Sequence, residues 1–357
     1  MESKTKNRKT RAQIEAMAAR AFGGMALAHS LRSTRSARDA SRSGLPSIHS
    51  LRSGCCAIAD GEDAVLELKE GWFNASYNIR LADGREVVLK IAPPKSAEVL
   101  LYEKNIMATE VAAMRLVRQN PAIPVPEIYF FDDAHDLCDS DYFFMEKIHG
   151  ENLGQVKAGL PPPAQTAVEL RIGEIVREIN SFTGTYFGYD GNPDLRANTW
   201  REAFIRIVDS VLEDGSRKNV VYDYSYDELR AAVLKHAPAL EEITTPCLVH
   251  WDGWDLNFFV KDGRITGIID FERVLWAEPL MEAQFRFLSF GAGVTNSMRG
   301  YGKTTFTCAE EQRCHLYTLH LALVTNTECY YRNYDTDSVY NMSRGLMARS
   351  MEWLKAN

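Results

Sequence analysis

The sequence predicts an α+β protein, and three observations carry that reading. Five short runs rich in β-branched and aromatic residues fall between residues 64 and 148, with one helical segment among them. Beyond Gly150 the periodicity turns helical, over 164–181, 200–214, 226–237, 278–289 and 308–327. One hairpin pattern, residues 248–272, interrupts those helices and folds back at Asp262-Gly263, a dipeptide that tolerates the positive φ angles of a two-residue turn. Strands grouped first and helices grouped after make the class α+β, with a cleft expected between the halves.

Taken in order, residues 11–22 place Ile14, Met17 and Ala18 at helical spacing, and Gly23-Gly24 is the expected stop. Residues 28–54 are rich in Ser and Arg and repeat the pentapeptide HSLRS at 29–33 and 49–53. So few aliphatic side chains cannot offset the entropy of ordering, so this stretch reads as a disordered insertion. It has no interleaved aromatics with which an RNA-binding arm would stack bases. Strands follow at VLELKE, NASYNIRL and EVVLKIA, then a helix over 99–119 closed by Asn120-Pro121, then strands at VPEIYFF and YFFMEKI. The expected organisation is a helix in 1–27, the insertion in 28–56, a sheet-containing lobe in 57–148 and a helical lobe in 149–357.

Charge and cysteine content exclude several classes. Acids and bases balance up to residue 150, so the whole net charge of −7 belongs to the second part, which argues against a nucleic-acid surface there. No apolar run reaches the ~18 residues of a membrane span, and the expected location is cytoplasmic. The seven cysteines show no CxxC or Cys/His spacing, so neither a disulfide framework nor a zinc site is expected. A monomer or weak dimer is the expected state.

The hairpin is unusual for its polar residues. His250, Asp252, Asn257 and Asp270 sit in or beside apolar strands, where an unpaired polar group costs roughly 2–7 kcal/mol. A turn at Asp262-Gly263 pairs Asn257 with Ile268 and Asp255 with Asp270 in a regular ladder. Asn257 and Asp270 then share a face as diagonal neighbours, roughly 7–8 Å apart at most. One Mg²⁺ bridges that gap, since an amide oxygen and a carboxylate are both hard ligands. Asp252, five residues before Asn257, lies where a carboxylate could reach a hydroxyl held near the metal.

The pattern H-x-D-x₄-N, followed thirteen positions after the Asn by Asp270-Phe271, resembles the protein-kinase-like superfamily. Within it, residues 64–357 are similar to the aminoglycoside phosphotransferase family of small-molecule kinases. The supporting motifs occur in order: the turn Gly71 to Ser76, Lys90 in VVLK, an acidic residue on the following helix, and YFFMEKI where the lobes join. The resemblance implies a bilobal kinase-like fold and transfer of phosphate from ATP or GTP, with Mg²⁺, to a hydroxyl of a small molecule. An aminoglycoside is the family default; macrolides, choline-like alcohols and sugar metabolites are alternatives. It further implies that the Asn74, Ala75 and Ser76 backbone and Lys90 hold phosphates. Adenine would fall to the backbone of Glu146 and Ile148, with Met145 behind it and Ile269 beneath. Asn257 and Asp270 would hold the metal, Asp252 would accept the substrate proton, and His250 would brace the loop. Glu110, inward-facing between Ile106 and Met114, is the expected partner of Lys90, with Glu103 on the same stripe a competitor.

Departures from the family are visible. HWDGWDLN carries Trp251, Trp254 and Asp255 where most relatives have glycine after the histidine and His-Pro-Gly before the asparagine, and Glu272 follows Asp270-Phe271 in place of glycine. Asp255 is thereby a candidate cation ligand or substrate contact. Glu272, Glu278 and Glu282 are candidate contacts for a cationic substrate, and Trp251, Trp254 and Trp276 could cup a quaternary ammonium or a sugar face. The segment VLWAEP leaves no room for a peptide-docking segment, so protein substrates are not expected. The rival readings are a nucleotide-binding regulator without turnover and a Ser/His/Asp hydrolase, the latter lacking any G-x-S-x-G elbow.

Overall fold

The computed structural model describes residues 5–33, 57–69, 71, 73–286, 288, 291, 293–334 and 336–357. The chain divides into two compact units, one containing Thr5–Ser96 and Ile128–Lys147, the other Ala97–Glu127 and Ile148–Asn357.

The first unit is built on the predicted five strands, β1 (Val65–Leu68), β2 (Ala75–Arg80), β3 (Glu86–Ile91), β4 (Ile128–Asp132) and β5 (Tyr142–Glu146). They form one antiparallel sheet in the order β1-β2-β3-β5-β4. Along β2 burial alternates residue by residue, as a period of two requires. Its buried face carries Tyr77 and Ile79, which join Leu89 and Phe144 in the core. Helix α1 (Arg11–Ser33) covers that face with Ile14, Met17, Ala18 and Phe22, and the Phe22 ring meets Phe144 edge-on at 5.1 Å. Ile14, Met17 and Phe22 each contribute about 1.5–3 kcal/mol by leaving water. The other face carries the cross-strand row Ser76, Lys90 and Phe143, with Asn78, Val88 and Met145 in the next row.

Helix α1 does not stop at Gly23-Gly24 but continues to Ser33. Two glycines cost about 1 kcal/mol each relative to alanine, and the run that follows them, Met25 to Leu31, lacks proline and is rich in helix formers. The rest of the Ser/Arg-rich segment, 34–56, lies outside the described residues.

Helix α2 (Ile106–Val117) opens the second unit and is shorter than the predicted 99–119. Asn105 at φ 52° breaks it from the preceding turn Leu101–Glu103. Although it lies in sequence among the strands, α2 packs on the turn Phe271–Arg273 and groups with the helices. The unit continues through β6 (Glu151–Asn152), α3 (Leu153–Val156), α4 (Pro162–Ile179), α5 (Trp200–Arg217) and α6 (Tyr226–His236). Then come β7 (Cys247–Val249), β8 (Phe258–Lys261), β9 (Arg264–Ile268), β10 (Leu275–Ala277) and α7 (Ala283–Arg286). Helices α8 (Asn296–Tyr301), α9 (Cys308–Arg332) and α10 (Ser338–Ala356) complete it.

The unit's central helix is α9, buried almost throughout between Arg313 and Glu328 and entered by a Thr307/Glu310 capping box. The helix expected over 278–289 is a correction: β10 pairs with β7, Pro279 opens a single 3₁₀ turn, and among the described residues only the four of α7 are α-helical. No helix among the described residues is long and apolar enough to cross a membrane, and the five described cysteines are unpaired.

Candidate active site

The hairpin β8–β9 turns at Asp262 (φ 51°) and Gly263 (φ 72°), the two positive angles of a type I′ turn. Lys261 pairs with Arg264 and Val260 with Ile265, but Phe259 then faces Gly267 and Phe258 faces Ile268. Thr266 is the extra residue of a β-bulge. The regular ladder expected from the sequence is therefore shifted by one: Asn257 lies opposite Ile269, whose N–H donates to the Asn257 carbonyl at 3.0 Å. Asp255 does not sit opposite Asp270 but pairs with Lys157 at 2.9 Å. Strand alternation also fails to direct Asp270, which adopts a left-handed backbone, φ 70° and ψ 56°, a conformation aspartate tolerates better than most residues.

That backbone turn brings carboxylates together. Oxygens of Asp270, Glu272 and Glu110 all lie within 4.8 Å of one another. Glu110 comes from α2, whose buried face packs on the turn that carries Glu272. Three carboxylates this close repel one another unless a cation or a shared proton lies among them. Oxygens on opposite sides of one Mg²⁺ are separated by about 4.2 Å, twice a Mg–O bond, so this all-oxygen donor set fits that ion. Glu272 entered the sequence reading only as a substrate contact; the signal for its actual place was a second acid two residues after Asp270.

The loop before β8 is held by buried groups. The Glu282 carboxylate is fully buried and accepts from the amides of His250 (2.9 Å) and Trp251 (3.0 Å) and from Asn180 Nδ2 (2.9 Å). Burial raises its pKa, opposed by His250 and these donors. Glu278 is likewise turned inward, accepting from Arg313 at 2.9 Å and from the Tyr317 hydroxyl. Neither acid faces a substrate, which corrects the reading of both as contacts for a cation. His250 is buried, donates through Nε2 to the Ile269 carbonyl at 3.1 Å and sets its ring 4.4 Å from Phe271. It ties the loop to the segment carrying Asp270.

Trp251 adopts φ 67°, the left-handed region in which a bulky residue is strained by about 1–3 kcal/mol. Here the Trp251 ring packs between the guanidinium groups of Arg286 at 4.3 Å and Arg273 at 5.1 Å, and Arg286 donates to the Trp251 carbonyl at 2.6 Å. Burial pulls the Arg286 pKa down to about 10. Trp251 is therefore a core residue, not part of an open aromatic cup. Trp276 is mostly buried and donates to Asp190 at 2.9 Å.

Asp252 follows in the turn, partly exposed, with Arg273 3.8 Å from its carboxylate. Its carbonyl accepts from Asn257 Nδ2 at 2.8 Å, which spends the donor end of that amide and leaves the oxygen end as the one able to meet a cation. Arg273 in turn donates to Glu328 at 2.7 Å in a buried cluster with Arg332, Glu103 and Tyr102. Glu103 is thus engaged by Arg332 on α9, while Glu110 lies with Asp270 and Glu272. Arg273, Arg286 and Glu328 have no place in the sequence reading, and Glu282 enters it only as a substrate contact. For Glu282 and Arg286 the available signal was charge inside the apolar run VLWAEPLMEAQFRF.

The remaining candidates divide between the units. In the sheet unit, Asn74 and Ala75 are buried at the start of β2, and Ser76 pairs with the mostly buried Lys90. Met145 and the exposed Glu146 end β5. In the helical unit, Ile148 packs so closely on Gly267 that a Cβ there would come within 2.3 Å of it, and Ile269 follows β9 half-buried.

A model of the phosphotransferase enzyme family matches residues 64–299. Aminoglycoside phosphotransferase APH(4)-Ia, solved as a thermostable mutant with ADP and hygromycin B, is 18% identical, with 84% of this chain and 95% of that chain covered and a TM-score of 0.59. A putative fructosamine-3-kinase from Thermobifida fusca is also 18% identical, with coverage of 81% and 93% and a TM-score of 0.55. At such identities the likeness is one of fold: an antiparallel sheet unit and a helical unit of the kinase-like type. Two subtelomeric hrmA-associated cluster proteins of Aspergillus fumigatus are 28% identical over 125 residues, 35% of this chain. The chain spans about a quarter of the length of those curated relatives.

Proposed function

This chain belongs to the phosphotransferase enzyme family, and we propose that it transfers the γ-phosphoryl group of ATP, or of GTP, to a hydroxyl group of a small molecule. The observation that carries the proposal is the placement of Asp252. Its carboxylate is partly exposed on a loop anchored by Glu282 and His250, and the same loop is tied to the segment that carries Asp270.

Asp252 orients the acceptor hydroxyl and takes its proton as the new O–P bond forms and the bond to the leaving ADP breaks. Asn257 and Asp270 are the residues assigned to Mg²⁺, supported by the oxygen donor set that Asp270 forms with Glu110 and Glu272. When bound there, the cation supplies neutralisation of phosphate charge. Lys90 and the backbone of Asn74 to Ser76 are assigned to the phosphates. The backbone of Glu146 and Ile148, with Met145 and Ile269, is assigned to the base. His250 positions the loop and does not itself move a proton.

Hygromycin B and streptomycin are held by structural neighbours, and an aminoglycoside is the family default for the acceptor. Screening hydroxylated compounds with the purified chain for Mg²⁺-dependent ADP release tests the proposal, with ³¹P NMR to identify the ester. ATP binding with no ADP release, across a broad panel of alcohols, would argue for a nucleotide-binding regulator.

A further inference from the structure

A cavity of about 410 Å³ opens beside the catalytic loop, within the helical unit. Gly253 to Leu256, directly after Asp252, line it together with residues of α4, α7 and the start of α8. The size suits a small ligand. Trp254 and the exposed Leu256 give it an apolar side. On the polar side, Gln284 is 5% exposed and donates through Nε2 to the Gly253 carbonyl at 2.8 Å, while its Oε1 has no partner. A buried acceptor left in this way calls for an N–H or O–H donor.

The cavity also contains two acids, and both are engaged by a lysine of the protein itself. Lys157 Nζ lies 2.9 Å from Glu169 Oε1 and 2.9 Å from Asp255 Oδ2, and Asn296 donates to the other Glu169 oxygen at 2.8 Å. Burial by itself would push the Lys157 pKa down, yet the two carboxylates outweigh it and the pKa is raised. The protein's own ammonium group thus satisfies one oxygen of each acid.

We propose that Lys157 makes this cavity the binding site of an uncharged, hydroxylated acceptor and excludes polyamines, by occupying the carboxylates of Glu169 and Asp255. The proposal rests on the phosphotransferase reading for its link to Asp252. It differs from the family default, whose acceptors are polycationic.

The test is calorimetric titration of the full chain with hygromycin B and streptomycin at low salt. The wild type is expected to bind both only weakly. Lys157→Met is expected to tighten binding of at least one of them about tenfold, the worth of one or two ammonium–carboxylate contacts. The gain should vanish when Glu169→Gln and Asp255→Asn are added. Lys157→Gln serves as a second variant should the methionine form fail to fold. Micromolar binding of either probe by the wild type would overturn the proposal, as would folded Lys157 variants that gain nothing. Titration of the wild type with ATP and Mg²⁺ tests the phosphotransferase reading separately.

Discussion

Arg273 places its guanidinium Nε 3.8 Å from the Asp252 carboxylate while its Nη2 donates to Glu328 at 2.7 Å. The residue proposed to meet the substrate is thereby tied, through one buried cation, to the central helix α9. Arg332, four residues after Glu328, bonds both Glu328 and Glu103, so two acids and two arginines balance one another away from water.

Removing one member of such a set strands the others. Glu328→Ala leaves Arg273 and Arg332 without their shared partner, and the expected loss is about 3–5 kcal/mol, read as a lowered urea midpoint. Glu328→Gln keeps the shape but not the charge, and should lower turnover more than it raises KM, because it acts on how Asp252 is held. Equal effects on an unrelated surface acid pair would contradict this role.

Glu282 should behave differently, since its partners are backbone amides. In Glu282→Ala the N–H groups of His250 and Trp251 lose their acceptor, at about 1–3 kcal/mol for each one left dry. Turnover should fall along with stability, because Trp251 then loses the contact that helps hold its left-handed backbone. A variant as stable as wild type, by thermal melting, would show that water replaces the carboxylate.

A pH effect follows from Asp214, fully buried on α5, where it accepts from the Leu101 amide at 2.7 Å. Burial pushes its pKa up from 3.8 to about 6. The folded state therefore holds this proton more tightly than the unfolded chain. The stabilisation is full below about pH 4 and is lost as pH rises through 6, roughly 3 kcal/mol in all. Asp214→Asn should gain stability relative to wild type at pH 7.5 compared with pH 4.5. Parallel urea midpoints at the two pH values would contradict the assignment.

Asp270→Ala should weaken ATP binding in the presence of Mg²⁺ and leave the much weaker binding in EDTA nearly unchanged. Titration of both forms under both conditions checks this. Loss of the same affinity without the cation would mean that Asp270 supports the fold and not the metal.

Much of this architecture was legible in the sequence. The five strands, the two-residue turn and four of the five helices expected beyond Gly150 announce themselves through local periodicity and turn residues, which act over a few neighbours, whereas α10 (Ser338–Ala356) was not anticipated. What escaped depended on distant partners. The bulge at Thr266 shifted the ladder that placed Asn257, and a left-handed Asp270 replaced strand alternation with a turn toward Glu110. Glu278 and Glu282 looked like a substrate's counter-charges until Arg313 and the loop amides were seen to use them. Charged residues on their own do not reveal in sequence whether their partner is a ligand or the protein itself.

Mg²⁺-dependent ADP release, driven by a hydroxylated acceptor, compared between wild type and Asp252→Ala tests the central claim most directly. The account predicts a fall of about 10²–10⁴ in turnover, with ATP binding close to that of wild type. Turnover unchanged by the substitution would contradict it.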